Sequence, residues 1–247
     1  MNPPDCCALP VAEQLVFELS TPDPPSFGNF LAGRNAEAVA AVKALAAGEG
    51  VETCVVLWGA SGAGKSHLLR AATDAAGAKG DVVARLSEPD ELLAHDLDSL
   101  LARAFVAIDN IDRATPDVQA RIFSLFNGLR ERGGRLLVAA RTSLAVLPLR
   151  EDLRTRLGWG LVYELTALSD ADKPVALAAF AKARGLPLTD DVIAYLLAHG
   201  RRDMPALLAT IGALDRHSLA IKRAITVPML RDWLQRDILE DGNPASS

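Results

Sequence analysis

Thr53-Cys54-Val55-Val56-Leu57-Trp58-Gly59-Ala60-Ser61-Gly62-Ala63-Gly64-Lys65-Ser66 is the stretch that decides the fold class. It begins as a short, bulky apolar run, which reads as a buried strand. From Gly59 it matches G-x-x-x-x-G-K-[ST] at every fixed position, and a helical pattern over 65–76 follows. A strand running into a glycine-rich loop that opens a helix is the context this pattern requires. Glycines let backbone N–H groups converge on a phosphate, and the helix N-terminus adds partial positive charge. Gly59, Ala60, Ser61, Gly62, Ala63, Gly64, Lys65 and Ser66 are therefore candidate nucleotide-binding residues, with His67 beside them in the helix. Lys65 is expected to reach the β- and γ-phosphates, and the Ser66 hydroxyl to take a Mg2+ position. His67 itself reads as a packing or capping group rather than a catalytic one.

Working outward, apolar runs at 82–86, 105–108, 136–140 and 161–165 read as further strands. Helices are expected at 35–47, ending at Gly48, and from Thr115-Pro116 to Gly133-Gly134, with Thr115 as cap and Pro116 in the first turn. Strand and helix in alternation predict an α/β fold, a parallel sheet covered on both faces. Asp109 ends the third strand, where it suits a Mg2+ held with Ser66; an ordinary helix cap is its alternative. Asn110 follows, at the place where a hydrolysing site commonly carries a carboxylate that deprotonates water. An amide cannot take that proton, and losing a general base typically costs about 10²–10⁴ in rate. Binding is thus better supported than turnover.

After residue 168 the alternation stops. Ser169-Asp170-Ala171-Asp172 reads as the cap of a helix ending at Gly185, and 189–198, 203–220 and 228–239 read as three more helices. The expected organisation is an extended tail over 1–26, a nucleotide-binding domain over 27–167, a C-terminal helical lid subdomain over 168–240 and a short tail over 241–247. The first tail is punctuated by Pro3, Pro4, Pro10, Pro22, Pro24 and Pro25 but holds one island, Gln14-Leu15-Val16-Phe17-Glu18-Leu19. Leu15, Phe17 and Leu19 fall on one side of it if it is extended.

Composition narrows the classes. Half of the 247 residues are hydrophobic and 23% charged, enough to bury a sizeable core and too apolar for general disorder;. With 26 basic against 31 acidic residues the net charge is −5, without the electrostatic footprint of a dedicated DNA binder;. The three cysteines, Cys6, Cys7 and Cys54, have neither disulfide-framework nor metal-ligand spacing;. No apolar stretch approaches a membrane span and the N-terminus lacks a signal-peptide pattern, so a cytoplasmic protein is expected.

Taken with the glycine-rich loop, Ile108-Asp109-Asn110-Ile111, Arg154-Thr155-Arg156-Leu157-Gly158-Trp159-Gly160 and Leu168-Ser169-Asp170-Ala171-Asp172-Lys173 resemble the AAA+ module of the DnaA/Hda clade. The resemblance runs from residue 14 to about 239 and is nearer the regulatory-inactivator (Hda) branch than the initiator branch. It implies that Phe27-Gly28-Asn29-Phe30-Leu31-Ala32-Gly33-Arg34-Asn35 lies beside the nucleotide base, with Phe30 a nucleotide contact. It implies that Gln14, Leu15, Phe17 and Leu19 grip the β sliding clamp of the replicative polymerase. Arg156 matches the family's arginine finger, a residue that acts on a partner's ATP; Arg154 is the fallback, and a surface ion pair with Glu151 or Asp152 is the alternative role. The implied cofactors are ADP (or ATP) and Mg2+. The implied partners are the DnaA initiator and the clamp, with DNA contacted only indirectly or weakly, no membrane, and a possible homo-oligomer. The implied function is negative regulation of replication initiation by stimulating hydrolysis of DnaA-bound ATP. After the lid the sequence shows no basic recognition helix, which also favours regulator over initiator.

Three positions depart from the family pattern. The lid arginine that contacts phosphate is replaced by Pro205, leaving Arg201 or Arg202 as substitutes or as solvated helix-end residues. The polar residue expected at the end of the fourth strand is replaced within Ala139-Ala140-Arg141, and Asn110 lacks a carboxylate. Preference for ADP and negligible intrinsic ATPase are the resulting expectations. Competing readings are a self-hydrolysing AAA+ ATPase such as a helicase loader, a small-molecule P-loop kinase, and a passive clamp-tethered adaptor.

Overall fold

The computed structural model describes residues 24–201, 204–221 and 223–241; the island at 14–19 lies outside them. Helix α1 (Ala36–Ala47) is stopped by Gly48, where the Gly48 and Glu49 N–H groups return to the Leu45 and Ala44 carbonyls;. Strand β1 (Cys54–Trp58) feeds α2 (Lys65–Ala78), followed by β2 (Val83–Leu86), the short helices α3 (Glu91–Ala94) and α4 (Leu97–Leu101), and β3 (Phe105–Ile108). Then come α5 (Pro116–Arg132), β4 (Arg135–Ala140), α6 (Glu151–Leu157) and β5 (Leu161–Glu164). The chain continues as α7 (Asp172–Ala183), α8 (Asp190–His199), α9 (Met204–Ile221) and α10 (Val227–Asp241).

The strands form one parallel sheet in the order β2-β3-β4-β1-β5. Alternation along each strand divides the core in two. Cys54, Val56, Val106, Ile108, Leu136 and Val138 pack on one face against Val118, Ile122 and Leu125 of α5 and Leu153 and Leu157 of α6. Val55, Leu57, Phe105, Ala107, Leu137 and Ala139 pack on the other against α1 and α2, through Val42, Leu45, Leu68 and Leu69. The inner strands β1, β3 and β4, covered on both faces, read as continuous apolar runs, whereas the edge strands β2 and β5 keep Arg85 and Glu164 exposed;. A third core, including Leu177, Ile193, Leu196, Ile211 and Leu230, holds α7–α10 together, and Leu31 from the segment before α1 packs against it.

Two local expectations differ from what is observed. Thr115 precedes α5 in extended conformation, but its hydroxyl makes no cap hydrogen bond. The buried Gln119 does the joining instead: its amide donates to the Ala114 and Pro148 carbonyls and accepts from the Arg150 N–H, tying α5 to the start of α6. Helices α3, α4 and α6, absent from the sequence reading, are too short to display a helical period of their own;.

Candidate nucleotide-binding site

The glycine-rich loop leaves the C-terminal end of β1, which lies between β4 and β5 inside the sheet. Ligands of open parallel sheets sit beyond such strand ends. The Gly59 N–H bonds the Ala140 carbonyl at 3.3 Å, so the loop starts from the end of β4 as well. Gly64 is the N-cap of α2 with φ 94°, and no side chain caps that helix. A Cβ there would stand 2.6 Å from the Phe30 ring, so the left-handed turn and the approach of Phe30 both require glycine;. A helix N-terminus without a side-chain cap, opening into a cleft, is suited to an anion.

That cleft has a volume of about 310 Å³. Ser61, Gly62, Ala63, Gly64, Lys65, Ser66 and His67 contribute to it from the loop and α2, Phe30 from the preceding segment, and Met204 and Leu208 from α9. Phe30 lies 5.3 Å from the His67 ring, and His67 Nε2 bonds the Ser26 carbonyl at 2.9 Å. Burial moves the His67 pKa below its ordinary value, with the Ser26 carbonyl opposing it, so the imidazole is a neutral strut for the 24–35 segment;. Asn29 closes a local turn by accepting from the Ser26 N–H and donating to the Pro24 carbonyl. Asn35 exchanges two 2.9 Å hydrogen bonds with the Thr166 backbone beyond β5. These two asparagines hold the apolar side of the cleft, and their buried amides could be recognised only once their backbone partners were known.

Lys65 is buried, and its ammonium donates to the Gly59 and Ala60 carbonyls at 2.6 and 2.8 Å. Desolvation lowers its pKa, opposed by the carboxylates of Asp109 and Asp112 and reinforced by Arg141. A lysine ammonium has three donors, so a further one remains for an anion in the cleft. Asp109 is buried and does not itself line the cleft, accepting from the Asn110 N–H at 2.8 Å. Ser66 with Asp109 is a hard-oxygen set that fits Mg2+ carried in with a nucleotide, since magnesium is usually bound by one or two protein oxygens plus phosphates. Among the described residues no cluster of three or more His, Cys, Asp or Glu could hold a metal unaided.

Asn110 has φ 54°, the left-handed conformation that asparagine tolerates, and its amide donates to the Ser87 carbonyl and to Glu88 Oε1 at 3.1 and 3.2 Å;. Arg141 lines the cleft, with its N–H on Asp112 Oδ1 at 3.1 Å. Arg141 directly follows β4, and its guanidinium lies 4.0 Å from the Asp112 carboxylate. Arg201 is exposed before α9, Pro205 lies in the first turn of α9, and Arg202 is outside the described residues.

Arg156 is elsewhere, on α6, and does not line the cleft. Its guanidinium lies 4.1 Å from the Trp159 ring centroid and 5.8 Å from that of Phe123. Asp152 pairs with Arg150 at 2.7 Å, and among the described residues no carboxylate pairs with Arg156. Arg154, by contrast, donates inward to the Leu147 and Leu149 carbonyls at 3.2 and 2.9 Å. Trp159 is 51% exposed.

Residues 170–234 match the family model described as Hda, lid domain. Among solved structures, domain III of the Thermotoga maritima replication initiation protein DnaA is similar over 88% of this chain and 98% of its own, at 18% identity and TM-score 0.66. AMPPCP-bound DnaA from Aquifex aeolicus matches over 79% of this chain and 66% of its own, at 21% identity and TM-score 0.65. The Thermotoga maritima RuvB Holliday junction branch migration motor matches over 86% and 72%, at 19% identity and TM-score 0.56. At such identities the likeness is one of fold. Residues 170–234 thus carry a lid of the Hda type, and the glycine-rich loop at the end of β1 with a parallel sheet in this strand order gives the chain the fold of domain III of DnaA and of RuvB.

Proposed function

We propose that the chain is a negative regulator of chromosomal replication initiation that stimulates hydrolysis of DnaA-bound ATP. In this reading it holds an adenine nucleotide, ADP by preference, between the loop at 59–66, Phe30 and the lid. Bound Mg2+ would neutralise phosphate charge there, held by Ser66 and Asp109. Arg156 enters the partner's site and stabilises charge on the transferring phosphoryl. Gln14, Leu15, Phe17 and Leu19 tether the chain to the β sliding clamp, raising the local concentration of Arg156 near DNA-loaded clamps.

The observation that carries this reading is the state of Arg156: a guanidinium outside its own cleft, with no carboxylate partner among the described residues and an exposed indole beside it. A finger acting in trans needs its charge and donors available to another molecule. Low self-turnover accords with Asn110, whose amide is engaged by Ser87 and Glu88 and cannot accept a proton from water;.

The test is hydrolysis of DnaA-bound ATP with and without clamp-loaded DNA. Wild type should accelerate it and Arg156→Ala should remove about 10³–10⁵ of that acceleration, the usual worth of a finger supplied in trans. Removing residues 1–19 should abolish the clamp dependence while leaving nucleotide binding intact. Normal stimulation by Arg156→Ala would reject the reading.

A further inference from the structure

Arg156 and Trp159 stand three residues apart on a turn that prolongs α6. The Gly158 N–H reaches the Arg154 carbonyl at 3.0 Å, the Trp159 N–H the Arg156 carbonyl at 3.1 Å, and the Gly160 N–H the Leu157 carbonyl at 3.2 Å. Side chains at that spacing lie on one helical face, so the indole comes over the guanidinium. The turn is braced against the sheet, because a Cβ on Gly160 would stand 2.4 Å from the Cys54 carbonyl oxygen. Phe123, on α5, approaches the same guanidinium from a second rigid element.

The kind of contact matters more than its strength. A guanidinium carries its N–H donors in its own plane, and an aromatic ring engages its face. A ring contact at 4.1 Å restrains the half-buried arginine without supplying an acceptor for its donors or a counter-charge;. A carboxylate partner would restrain it equally well but occupy the donors and cancel the charge. Arg130 lies 4.9 Å from the same indole, and among the described residues it too has no carboxylate partner. A second cation on one exposed ring biases this surface toward phosphate.

Resting on the finger role given to Arg156 above, we propose that Trp159 is its positioning residue: the exposed indole pre-orients the guanidinium, donors outward, for the triphosphate of a neighbouring protein. Trp159 touches no reacting atom. Removing it widens the ensemble of finger conformations, so the rate of the hydrolysis step falls, whereas the concentration of chain needed for half-maximal effect changes little.

The experiment measures partner ATP hydrolysis against concentration of the full-length chain on clamp-loaded DNA. Trp159→Ala and Trp159→Leu should each lower the maximal rate about tenfold, within the range that misplacement of a catalytic group produces. Trp159→Phe, which keeps an aromatic face, should restore most of it. In an Arg156→Ala background, Trp159→Ala should cause no further loss. Nucleotide binding by the variants should match wild type, as a check that they fold; Trp159→Leu, which keeps apolar bulk, serves if the alanine variant does not. An unchanged maximal rate, an equal loss in the Arg156→Ala background, or Trp159→Phe behaving like Trp159→Ala would each overturn the proposal. If Arg156→Ala itself has no effect, the finger reading has failed, an outcome separable from the failure of Trp159 to support it.

Discussion

Arg154 and Arg156 lie two residues apart on α6, are both half-buried, and differ in what their guanidinium groups touch. Arg154 turns into the protein and satisfies two carbonyls of the segment before α6, whereas Arg156 rests on an exposed ring. Hydrogen bonds from a charged donor contribute about 1.5–3 kcal/mol when buried and less as solvent competes. Arg154→Ala should therefore lower unfolding free energy by about 1–2 kcal/mol in urea titrations, and Arg156→Ala by less than about 1 kcal/mol. Equal losses would mean that Arg156 is a structural arginine as well. Sequence could nominate both through the Arg-x-Arg pattern but could not rank them on physical grounds, because the carbonyls that claim Arg154 come from a loop with no periodic signal.

At the scale of elements, the hairline fit is between the α6–β5 turn and β1. Gly160 abuts the backbone of Cys54, and that closeness lets β5 enter the sheet in register, Val55 opposite Leu161 and Trp58 opposite Glu164. Overpacking a site closed by backbone atoms typically costs about 1–3 kcal/mol. Gly160→Ala should destabilise by that amount, measured by denaturant unfolding, and under the proposed finger role should also weaken stimulation of DnaA-bound ATP hydrolysis by displacing the turn that carries Trp159. A neutral Gly160→Ala would show that the turn yields freely. Strands and long helices were legible because burial on both faces or on one stripe imposes a pattern on the residues. The seven-residue α6 was not, since its placement depends on Gln119 reaching across from α5.

At the scale of the whole molecule, the cleft joins two separately packed units. Its floor belongs to the sheet domain, and Met204 and Leu208 belong to a helix whose core is formed by α7–α10. A ligand bound there contacts both, so its binding energy stabilises their relative arrangement. Adding adenine nucleotide at about 100 times its Kd should raise stability by about 2.7 kcal/mol. Hydrogen exchange should then slow in the first turns of α9 as well as in the glycine-rich loop. Protection confined to the loop would mean that the lid takes no part in binding. Among the described residues no helix is long and apolar enough to cross a membrane, and the cores that are present account for the apolar runs in the sequence.

What the sequence determined by itself was whatever rests on local patterning: the glycine-rich loop, which opens a helix directly from a strand; the buried strands; and the helices α7–α10. Tertiary structure alone decided which distant groups share a space. It brought Arg141 to the cleft, turned the Asn110 amide toward Ser87 and Glu88, and set one arginine of a pair inward and the other on an exposed indole. Those outcomes depend on where backbone carbonyls and aromatic faces lie after packing, and no spacing along the chain encodes a distance between elements that meet only when the sheet has formed.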